Sequence, residues 1–390
     1  MPTEQHSSVL ERRTPSRLAA GVRTNYRPEG TGMTPQQTDA VVLVGGRGTR
    51  LRPLTMSAPK PMLHTAGLPF LAHLLSRIHA AGMRHVVLGT SFKADVFAEY
   101  FGDGSSMGLE IDYVYEEVPL GTGGGIRNVA PALRYDTTMV FNGDVLGGTD
   151  LNAVLHTHRS SEADVTLHLV RVSDPRAFGC VPTDPDGRVT AFLEKTQDPP
   201  TDQINAGCYV FRREVIDTIP LGRAVSVERE VFPGLLNSGC LLQGHVDAAY
   251  WRDMGTPEDF VRGSADLVRG IAPSAALSGH RGESLVLDGA EVAPGALLIG
   301  GTVVGRGAVV GAGARLDGAV VFDQAVVEAG AVVERSIVGF GARIGARALV
   351  RDGVIGDGAV LGARCELLRG ARVWPGVQIP DGGIRFSTDV

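Results

Sequence analysis

The chain has 390 residues, 43% of them hydrophobic, and a formal net charge of −6, values that fit more than one domain with sizeable cores. The acidic balance argues against a general nucleic-acid-binding protein, and no apolar run is long enough to cross a membrane. Four widely spaced cysteines show no metal-type spacing and indicate reduced thiols in a cytoplasmic protein.

The N-terminal segment is polar and contains Arg, Ser and Pro but no apolar stretch of the kind found in secretory signals, so we expect disorder there. Met33 lies just before the first predicted strand, and the sequence leaves open whether the native protein begins at Met1 or Met33. The predicted segments are a tail at 1–38, a catalytic domain at 39–268, a linker at 269–285, a β-helix at 286–382 and a tail at 383–390.

Strands and helices alternate through the first part of the chain, beginning with a continuous apolar run at 40–44 that is typical of a strand buried on both faces. A helix is predicted over 69–81, with a proline in its first turn and Gly82 as its stop. This βαβ order predicts an α/β, Rossmann-like, mostly parallel sheet that binds ligands at the carboxyl ends of its strands. Further strands are predicted at 85–88, 111–115, 138–142 and, returning from a hairpin turn at Asp186–Gly187, 188–193.

After about residue 285 the chain is rich in Gly, Ala and Val, and apolar residues recur every six positions. A six-residue apolar period with small neighbours is the mark of a hexapeptide-repeat left-handed β-helix, in which each coil points one apolar residue per face into the core. The predicted inward residues are Val292, Leu298, Val304, Val310 and Leu316, then Val326, Val332, Val338, Ile344 and Val350, then Ile355, Leu361, Leu367 and Val373.

Lysine occurs only three times, at Lys60, Lys93 and Lys195, although the chain contains 37 Lys and Arg residues. A compact ammonium and a guanidinium are not interchangeable at a phosphate, so the retained lysines suggest specific sites. Lys93 is interpreted as a surface residue of a helix. Lys60 lies between two prolines, shortly after a loop rich in glycine and arginine whose backbone N–H groups could approach a phosphate. That loop is Gly45-Gly46-Arg47-Gly48-Thr49-Arg50.

Two carboxylates occupy positions that suit a metal ion. Asp144 follows an apolar strand, behind Gly143, and Asp253 comes just before a predicted helix. Taken singly, Asp144 could cap a helix and Asp253 could pair with Arg252. Taken with the glycine-rich loop, the pair is predicted to hold Mg²⁺ bridging phosphate oxygens.

These motifs resemble those of the sugar-1-phosphate nucleotidyltransferases over roughly residues 39–266. The loop with its Thr-Arg-Leu-Arg-Pro-Leu-Thr continuation and Pro59-Lys60-Pro61 resembles the family's nucleotide loop, and the segment from Leu120 to Gly124 its base-binding turn. The resemblance implies catalytic Arg50 and Lys60; nucleotide-binding Val44, Gly45, Gly46, Gly48, Thr49, Gly121 and Thr122; sugar-phosphate-binding Gly143, Gly179, Glu194, Lys195 and Asn205; and metal-binding Asp144 and Asp253.

The same resemblance implies attack of mannose 1-phosphate on the α-phosphate of GTP, giving GDP-mannose and pyrophosphate. A uridylyl-, thymidylyl- or adenylyltransferase acting on glucose 1-phosphate is the alternative within the class, and a non-catalytic sugar-nucleotide sensor is the alternative outside it. An acyltransferase β-helix is disfavoured because no histidine follows His280. We expect small-molecule substrates, no nucleic-acid or membrane partner, and a homo-oligomer assembled with the help of the β-helix.

Overall fold

A computed structural model describes residues 37–385 of the chain, except residues 47, 92, 93, 278 and 280. Most of the predicted tails at 1–38 and 383–390 therefore lies outside the described residues, as do Arg47 and Lys93. Within the described ranges, no helix is both long and apolar enough to span a bilayer.

The first part of the chain forms a nine-stranded sheet in which strands run in the order β10-β9-β11-β6-β1-β4-β5, with β8 paired to β11 and β12 to β8. The central pairs β1–β6, β1–β4 and β4–β5 are parallel, whereas β11 runs antiparallel to β6 and β8. The strands are β1 Thr38–Leu43, β2 His64–Thr65, β3 Leu68–Pro69, β4 His85–Thr90, β5 Glu110–Tyr115, β6 Thr137–Asn142, β7 Val145–Gly147, β8 Val165–Arg171, β9 Gly179–Cys180, β10 Leu193–Glu194, β11 Gln203–Arg212, β12 Leu242–Asp247 and β13 Trp251–Asp253.

Helices cover both faces of this sheet, as the predicted βαβ order requires. Apolar side chains of β1 alternate between two cores, with Val42 on one face and Val41 on the other. The carboxyl ends of β1 and β6 lie side by side, since Leu43 pairs with Asn142, so residues after both strands meet at one edge. The helices are α1 Leu54–Ser57, α2 Phe70–Ala80, α3 Asp95–Phe101, α4 Gly121–Val129, α5 Leu151–Ser160, α6 Arg213–Thr218, α7 Phe232–Asn237 and α8 Pro257–Val268, with a π-helix at Val227–Val231 and short 3-10 helices at Thr49–Leu51, Lys60–Met62, Ser105–Met107, Ala130–Ala132, Pro175–Ala177 and Ala275–Leu277.

The predicted hairpin around residue 187 forms its turn but not its full returning strand. Gly187 donates to the Asp184 carbonyl at 3.0 Å, and Val189 makes only an isolated bridge to Thr183. The predicted strand at 188–193 is therefore wrong for most of its length, and regular pairing begins at β10. Arg188 also bridges to Gln243 on β12, so this short segment lies between Thr183 and β12 without forming a regular strand with either.

The C-terminal part consists of three parallel sheets stacked as in a left-handed β-helix, confirming the predicted fold class. Successive coils are spaced by 17 residues through the middle of the stack, as in the hydrogen bond from the Gly353 amide to Ser336, and by 18 residues at its two ends, where Ser284 pairs with Thr302 and Val354 with Arg372. The first sheet comprises Ser284–Val286, Thr302–Val304, Val320–Val321, Ile337–Val338, Val354–Ile355 and Arg372–Val373; the second Glu291–Val292, Val309–Val310, Val326–Val327, Arg343–Ile344, Val360–Leu361 and Gln378–Ile379; the third Leu297–Ile299, Arg315–Asp317, Val332–Glu334, Leu349–Arg351 and Glu366–Leu367.

The phase of the predicted repeat is wrong in one coil. Val327 and Val333 are fully buried inside the β-helix, whereas Val326 and Val332, which we expected to point inward, are only half-buried. A 17-residue coil is one residue short of three hexapeptides, so one step in each such coil spans five residues. The first short step runs from Leu316 to Val321, which is fully buried inside the β-helix, and the prediction skipped Val321 and returned to the correct phase at Val338.

The β-helix packs against the catalytic domain through the outward side chains of its first sheet. Val303, Val320, Ile337 and Val354 are at most 3% exposed and belong to one apolar core. That core also contains residues from the loop that follows β1, from β7 and from α8. The other members include Leu51, Leu54, Leu63, Phe70, Leu146, Met254, Phe260 and Val261.

Candidate active site

A cleft of about 500 Å³ opens at the carboxyl edge of the parallel strands, where the sequence predicts a ligand site. The cleft is lined by the residues assigned to the nucleotide, by the two catalytic residues and by one of the two predicted metal carboxylates. The predicted site residues along its wall are Val44, Gly45, Gly46, Gly48, Thr49, Arg50, Lys60, Gly121, Thr122, Gly143 and Asp144.

A hydrogen bond between α1 and the glycine-rich loop fixes the segment that follows β1. Gly48 has a left-handed φ of 57°, and its carbonyl accepts a hydrogen bond from Thr55 Oγ1 at 2.8 Å. A Cβ at Gly48 would lie 2.9 Å from the Thr55 methyl and 3.1 Å from Lys60 Cβ. Glycine is therefore required here both by conformation and by the close approach of the Lys60 segment.

Gly143 is a second position where only glycine fits, because a Cβ there would lie 2.6 Å from the Leu43 carbonyl oxygen. Its N–H donates to that carbonyl at 3.0 Å and so joins the ends of β1 and β6. This contact places Asp144 at the mouth of the cleft, next to the glycine-rich loop.

The two predicted metal carboxylates come together because β7 and β13 pair antiparallel, with Asp253 opposite Val145. The Met254 amide donates to the Asp144 carbonyl at 3.0 Å. Residues more than a hundred positions apart are thus held at adjacent strand ends, as the metal hypothesis requires.

Lys60 lies between the two carboxylates. Its Nζ donates to Asp144 Oδ2 at 2.9 Å and lies 3.8 Å from Asp253 Oδ1, while an Arg50 Nη2 lies 4.0 Å from Asp253 Oδ2. The Lys60 side chain is only 9% exposed, whereas that of Arg50 is 65% exposed. Lys60 is therefore fixed by packing and ion pairing, and Arg50 is free to meet a ligand from solvent.

The environment of Asp253 suits a cation. Burial and the nearby charge of Asp144 raise the pKa of the Asp253 carboxyl, and Lys60 and Arg50 offset part of that increase. Its Oδ1 is buried and has no hydrogen-bond partner. Within the described residues no cluster of three or more His, Cys, Asp or Glu side chains could hold a metal by itself. Two carboxylates nevertheless suit Mg²⁺, which usually takes its other ligands from phosphates and water.

Glu116, which sequence reasoning missed, lies in the same cleft. It directly follows β5, at the carboxyl edge where ligands bind, and that position is the signal that could have revealed it. Its side chain is 9% exposed, and its Oε2 accepts the Leu120 N–H at 3.3 Å. Burial raises the pKa of this carboxyl, an effect that the Leu120 N–H partly opposes. A Cβ at Gly125 would lie 2.8 Å from its Oε1, so the glycine gives the carboxylate room.

The turn at the start of α4 contacts Val225 and the first residues of the π-helix. Gly121 has a φ of 69°, and a Cβ there would lie 2.6 Å from the Val225 carbonyl oxygen. Thr122 Oγ1 donates to Glu228 Oε2 at 2.8 Å and accepts the Val227 N–H at 2.9 Å. The Thr122 hydroxyl therefore holds protein segments together, which leaves the backbone of the turn facing the cleft.

The residues predicted to hold the sugar phosphate, apart from Gly143, lie outside the lining of this cleft. Gly179 and Glu194 face each other on the paired strands β9 and β10. Lys195 has a left-handed φ of 52°, and its Nζ lies 3.7 Å from Glu194 Oε1. Its side chain is 61% exposed, so it can turn toward an anion in solvent.

Asn205 connects this second group to the cleft. Its Nδ2 donates to the Tyr209 hydroxyl at 2.7 Å, and its Oδ1 accepts the Gly207 N–H at 3.0 Å. Gly207 in turn approaches Asn142 closely, since a Cβ there would lie 2.9 Å from Asn142 Nδ2. The Asn205 amide thus has internal partners and keeps one N–H and one lone pair for a substrate hydroxyl.

The fold is that of a nucleotide-binding α/β enzyme joined to a β-helix. Residues 39–270 match the nucleotidyl transferase family, and residues 280–382 match the GMPPB C-terminal domain. The chain belongs to the nucleotidyl transferase family.

Similar proteins agree with this assignment. A mannose-1-phosphate guanylyltransferase of Mycobacterium tuberculosis is 76% identical over 359 residues, which cover 92% of this chain and all of that protein. A catalytic beta subunit of the enzyme of that name in Drosophila melanogaster is 34% identical, covering 58% of this chain and 62% of its own length. The crystal structure of HddC from Yersinia pseudotuberculosis complexed with GMP-PN matches with a TM-score of 0.52 and 30% identity, covering 59% of this chain and 99% of HddC.

Proposed function

We propose that the chain transfers a guanylyl group from GTP to mannose 1-phosphate, giving GDP-mannose and pyrophosphate. The observation that carries the reaction type is Lys60 held between Asp144 and Asp253 at the end of a glycine-rich loop. The substrate pair is supported by the 76% identity to a protein named for that reaction.

A phosphate oxygen of the sugar phosphate attacks the α-phosphorus of the triphosphate, and the bond to the β-phosphate bridging oxygen breaks. Because both reactants are anions, catalysis consists mostly of positioning and charge neutralisation. Arg50 and Lys60 stabilise the charge on the α-phosphate and the departing pyrophosphate. Lys195 binds the sugar phosphate, while Glu194 and Asn205 bind sugar hydroxyls.

Asp144 and Asp253 are the residues that would hold Mg²⁺, because they converge at one point and Asp253 Oδ1 is buried without a hydrogen-bond partner. When bound, the ion neutralises phosphate charge and helps to orient the two anions. Lys60 provides a positive charge between these carboxylates. The combined negative charge of Asp144 and Asp253 stabilises the ammonium group of Lys60, whose side chain is only 9% exposed.

Glu116 supports guanine as the base. Guanine offers two adjacent donors, N1–H and the exocyclic amine, and a carboxylate can accept from both. Adenine presents an acceptor at N1, and uracil has carbonyl oxygens on both sides of its one N–H, so a carboxylate meets a lone pair in each. The raised pKa of Glu116 reflects a desolvated carboxyl, and such a group binds donors more strongly than one in water.

The four cysteines of the chain are free thiols, which fits a reducing, cytoplasmic compartment.

The direct test of this chemistry is pyrophosphate release from GTP and mannose 1-phosphate by the wild type, Asp253→Asn and Asp288→Asn. Asp288 is an exposed carboxylate on the β-helix and serves as the matched control. We expect Asp253→Asn to lower kcat by about a hundred-fold or more, the scale for a main electrostatic group, and Asp288→Asn to change little. Full activity of Asp253→Asn, or of the wild type in excess chelator, would refute the metal assignment.

A further inference from the structure

The catalytic loop is anchored in a core to which the β-helix contributes. Leu51 immediately follows Arg50, is fully buried and belongs to the same apolar cluster as Val320 and Ile337 of the β-helix. Leu54, at the start of α1, is 1% exposed in that cluster. The β-helix is thus part of the support of the loop that carries Arg50.

A polar contact reinforces this anchor. Arg372, on the last strand of the first β-helix sheet, donates from Nη1 to the Arg52 carbonyl at 2.7 Å. The Arg52 amide donates in turn to the Thr49 carbonyl at 3.2 Å. Arg372 therefore fixes the backbone at the far end of the short helix Thr49–Leu51 that presents Arg50.

The surroundings of Arg372 distinguish it from its neighbours. A space of about 570 Å³ between α8 and the first β-helix sheet is lined by Arg262, Arg335 and Arg372. Arg262 pairs with Glu258 at 2.6 Å, and Arg335 pairs with Asp352 at 2.7 Å. These two ion pairs each lie within one domain, whereas Arg372 bonds across the domain boundary to the catalytic loop.

We propose that Arg372 is a positioning residue for Arg50, through which the β-helix sets the geometry of the nucleotide loop. This inference rests on the proposed nucleotidyl transfer. Arg372 is not among the residues that line the cleft and acts by holding the Arg52 carbonyl, so its loss lets the Arg50 segment move relative to Lys60. Lys60 is buried and keeps its carboxylate partners, so the two cations lose their alignment.

The effect is expected to be modest, because Arg372 is exposed and contributes one hydrogen bond. An exposed donor contributes the typical net free energy of one hydrogen bond, which corresponds to about a five-fold change in kcat/KM for the nucleoside triphosphate. The KM of the sugar phosphate should stay unchanged, since residues on β10 and β11 are proposed to bind it. Thermal stability should also stay unchanged, which separates positioning from a general structural role.

Arg372→Ala, Arg372→Lys and Arg343→Ala test the proposal in the full-length protein. Arg343 is an exposed arginine directly before the inward residue Ile344, just as Arg372 directly precedes Val373, and it pairs within the β-helix with Glu328. Steady-state kinetics should use whichever nucleoside triphosphate the wild type prefers, with thermal unfolding of each variant measured in parallel.

We expect Arg372→Ala to lose about five-fold in kcat/KM for the nucleotide with an unchanged melting temperature. Arg372→Lys should recover most of that loss, because an ammonium also donates to a carbonyl, and Arg343→Ala should match the wild type. Arg372→Ala kinetics equal to those of Arg343→Ala in an active enzyme would overturn the positioning role alone. A wild type without turnover on any nucleoside triphosphate would overturn both this role and the proposed function.

Discussion

Replacing Glu116 with glutamine should weaken the preference for GTP selectively. Glutamine keeps the shape of the side chain and an acceptor for the Leu120 N–H, but it replaces one oxygen with a donor. That NH₂ would face a guanine donor in a site where the carboxyl is 9% exposed. Hydrogen bonds to charged groups contribute about 1.5–3 kcal/mol each. Losing one should cost about 2 kcal/mol, or about a 30-fold fall in kcat/KM for GTP.

The assay is kcat/KM for GTP, ATP and UTP with mannose 1-phosphate, measured as pyrophosphate release. Glu117→Gln is the control, because Glu117 is the next residue and is exposed. The ratio of GTP to UTP should fall about 30-fold in Glu116→Gln and stay constant in Glu117→Gln. An equal loss for all three nucleotides in Glu116→Gln would show that Glu116 supports the cleft without reading the base.

Three further predictions concern stability and assembly. Ile337→Ala should lower the free energy of unfolding in urea by about 3 kcal/mol, because Ile337 is fully buried between the domains. The control Val309→Ala, at an exposed position, should lower it by less than about 1 kcal/mol. Equal losses in the two variants would contradict the shared core. Burial opposes protonation of His85, but its hydrogen bonds to Asp39 and Asp112 outweigh burial and raise its pKa. Protonated His85 therefore stabilises the folded protein fully below pH ~6.5, and this stabilisation is lost as the pH rises through the pKa of the folded state. The difference in unfolding free energy between wild type and His85→Gln should therefore shrink as the pH rises above about 6.5, and a constant difference would contradict the raised pKa. Light scattering should give a mass above the 41.0 kDa of one chain, and a monomer would contradict the expected homo-oligomer.

Features set by local pattern were predictable from the sequence. The apolar run at β1, the helix after Pro69 and the glycine loop each follow from neighbouring residues, and the βαβ order predicted a ligand site at the carboxyl edge of the sheet, where the loop after β1 lines the cleft. The six-residue period likewise predicted the β-helix. Its phase failed at Val326 because successive Val-Val pairs offer two equivalent registers, and only the stacked coils decide between them.

Features set by long-range contact were not predictable. The strand expected at 188–193 gave way to two isolated bridges, one to Thr183 and one to β12, and the Asn205 amide bonds Tyr209 and Gly207. Arg372 carries no local motif, since its role depends on the Arg52 carbonyl. The position of Glu116 after β5 could have indicated a ligand site, but the room for its carboxylate depends on Gly125. Such contacts depend on how separate segments pack, which periodicity does not encode.

We propose above all that this chain transfers the guanylyl group of GTP to mannose 1-phosphate and releases pyrophosphate. The most direct test is pyrophosphate release by the purified full-length protein across GTP, ATP, UTP and dTTP, each paired with mannose 1-phosphate or glucose 1-phosphate. We predict the highest kcat/KM for GTP with mannose 1-phosphate, with the base discriminated more strongly than the sugar, since the two hexoses differ only at the 2-hydroxyl. A clear preference for UTP or dTTP with glucose 1-phosphate would contradict the claim.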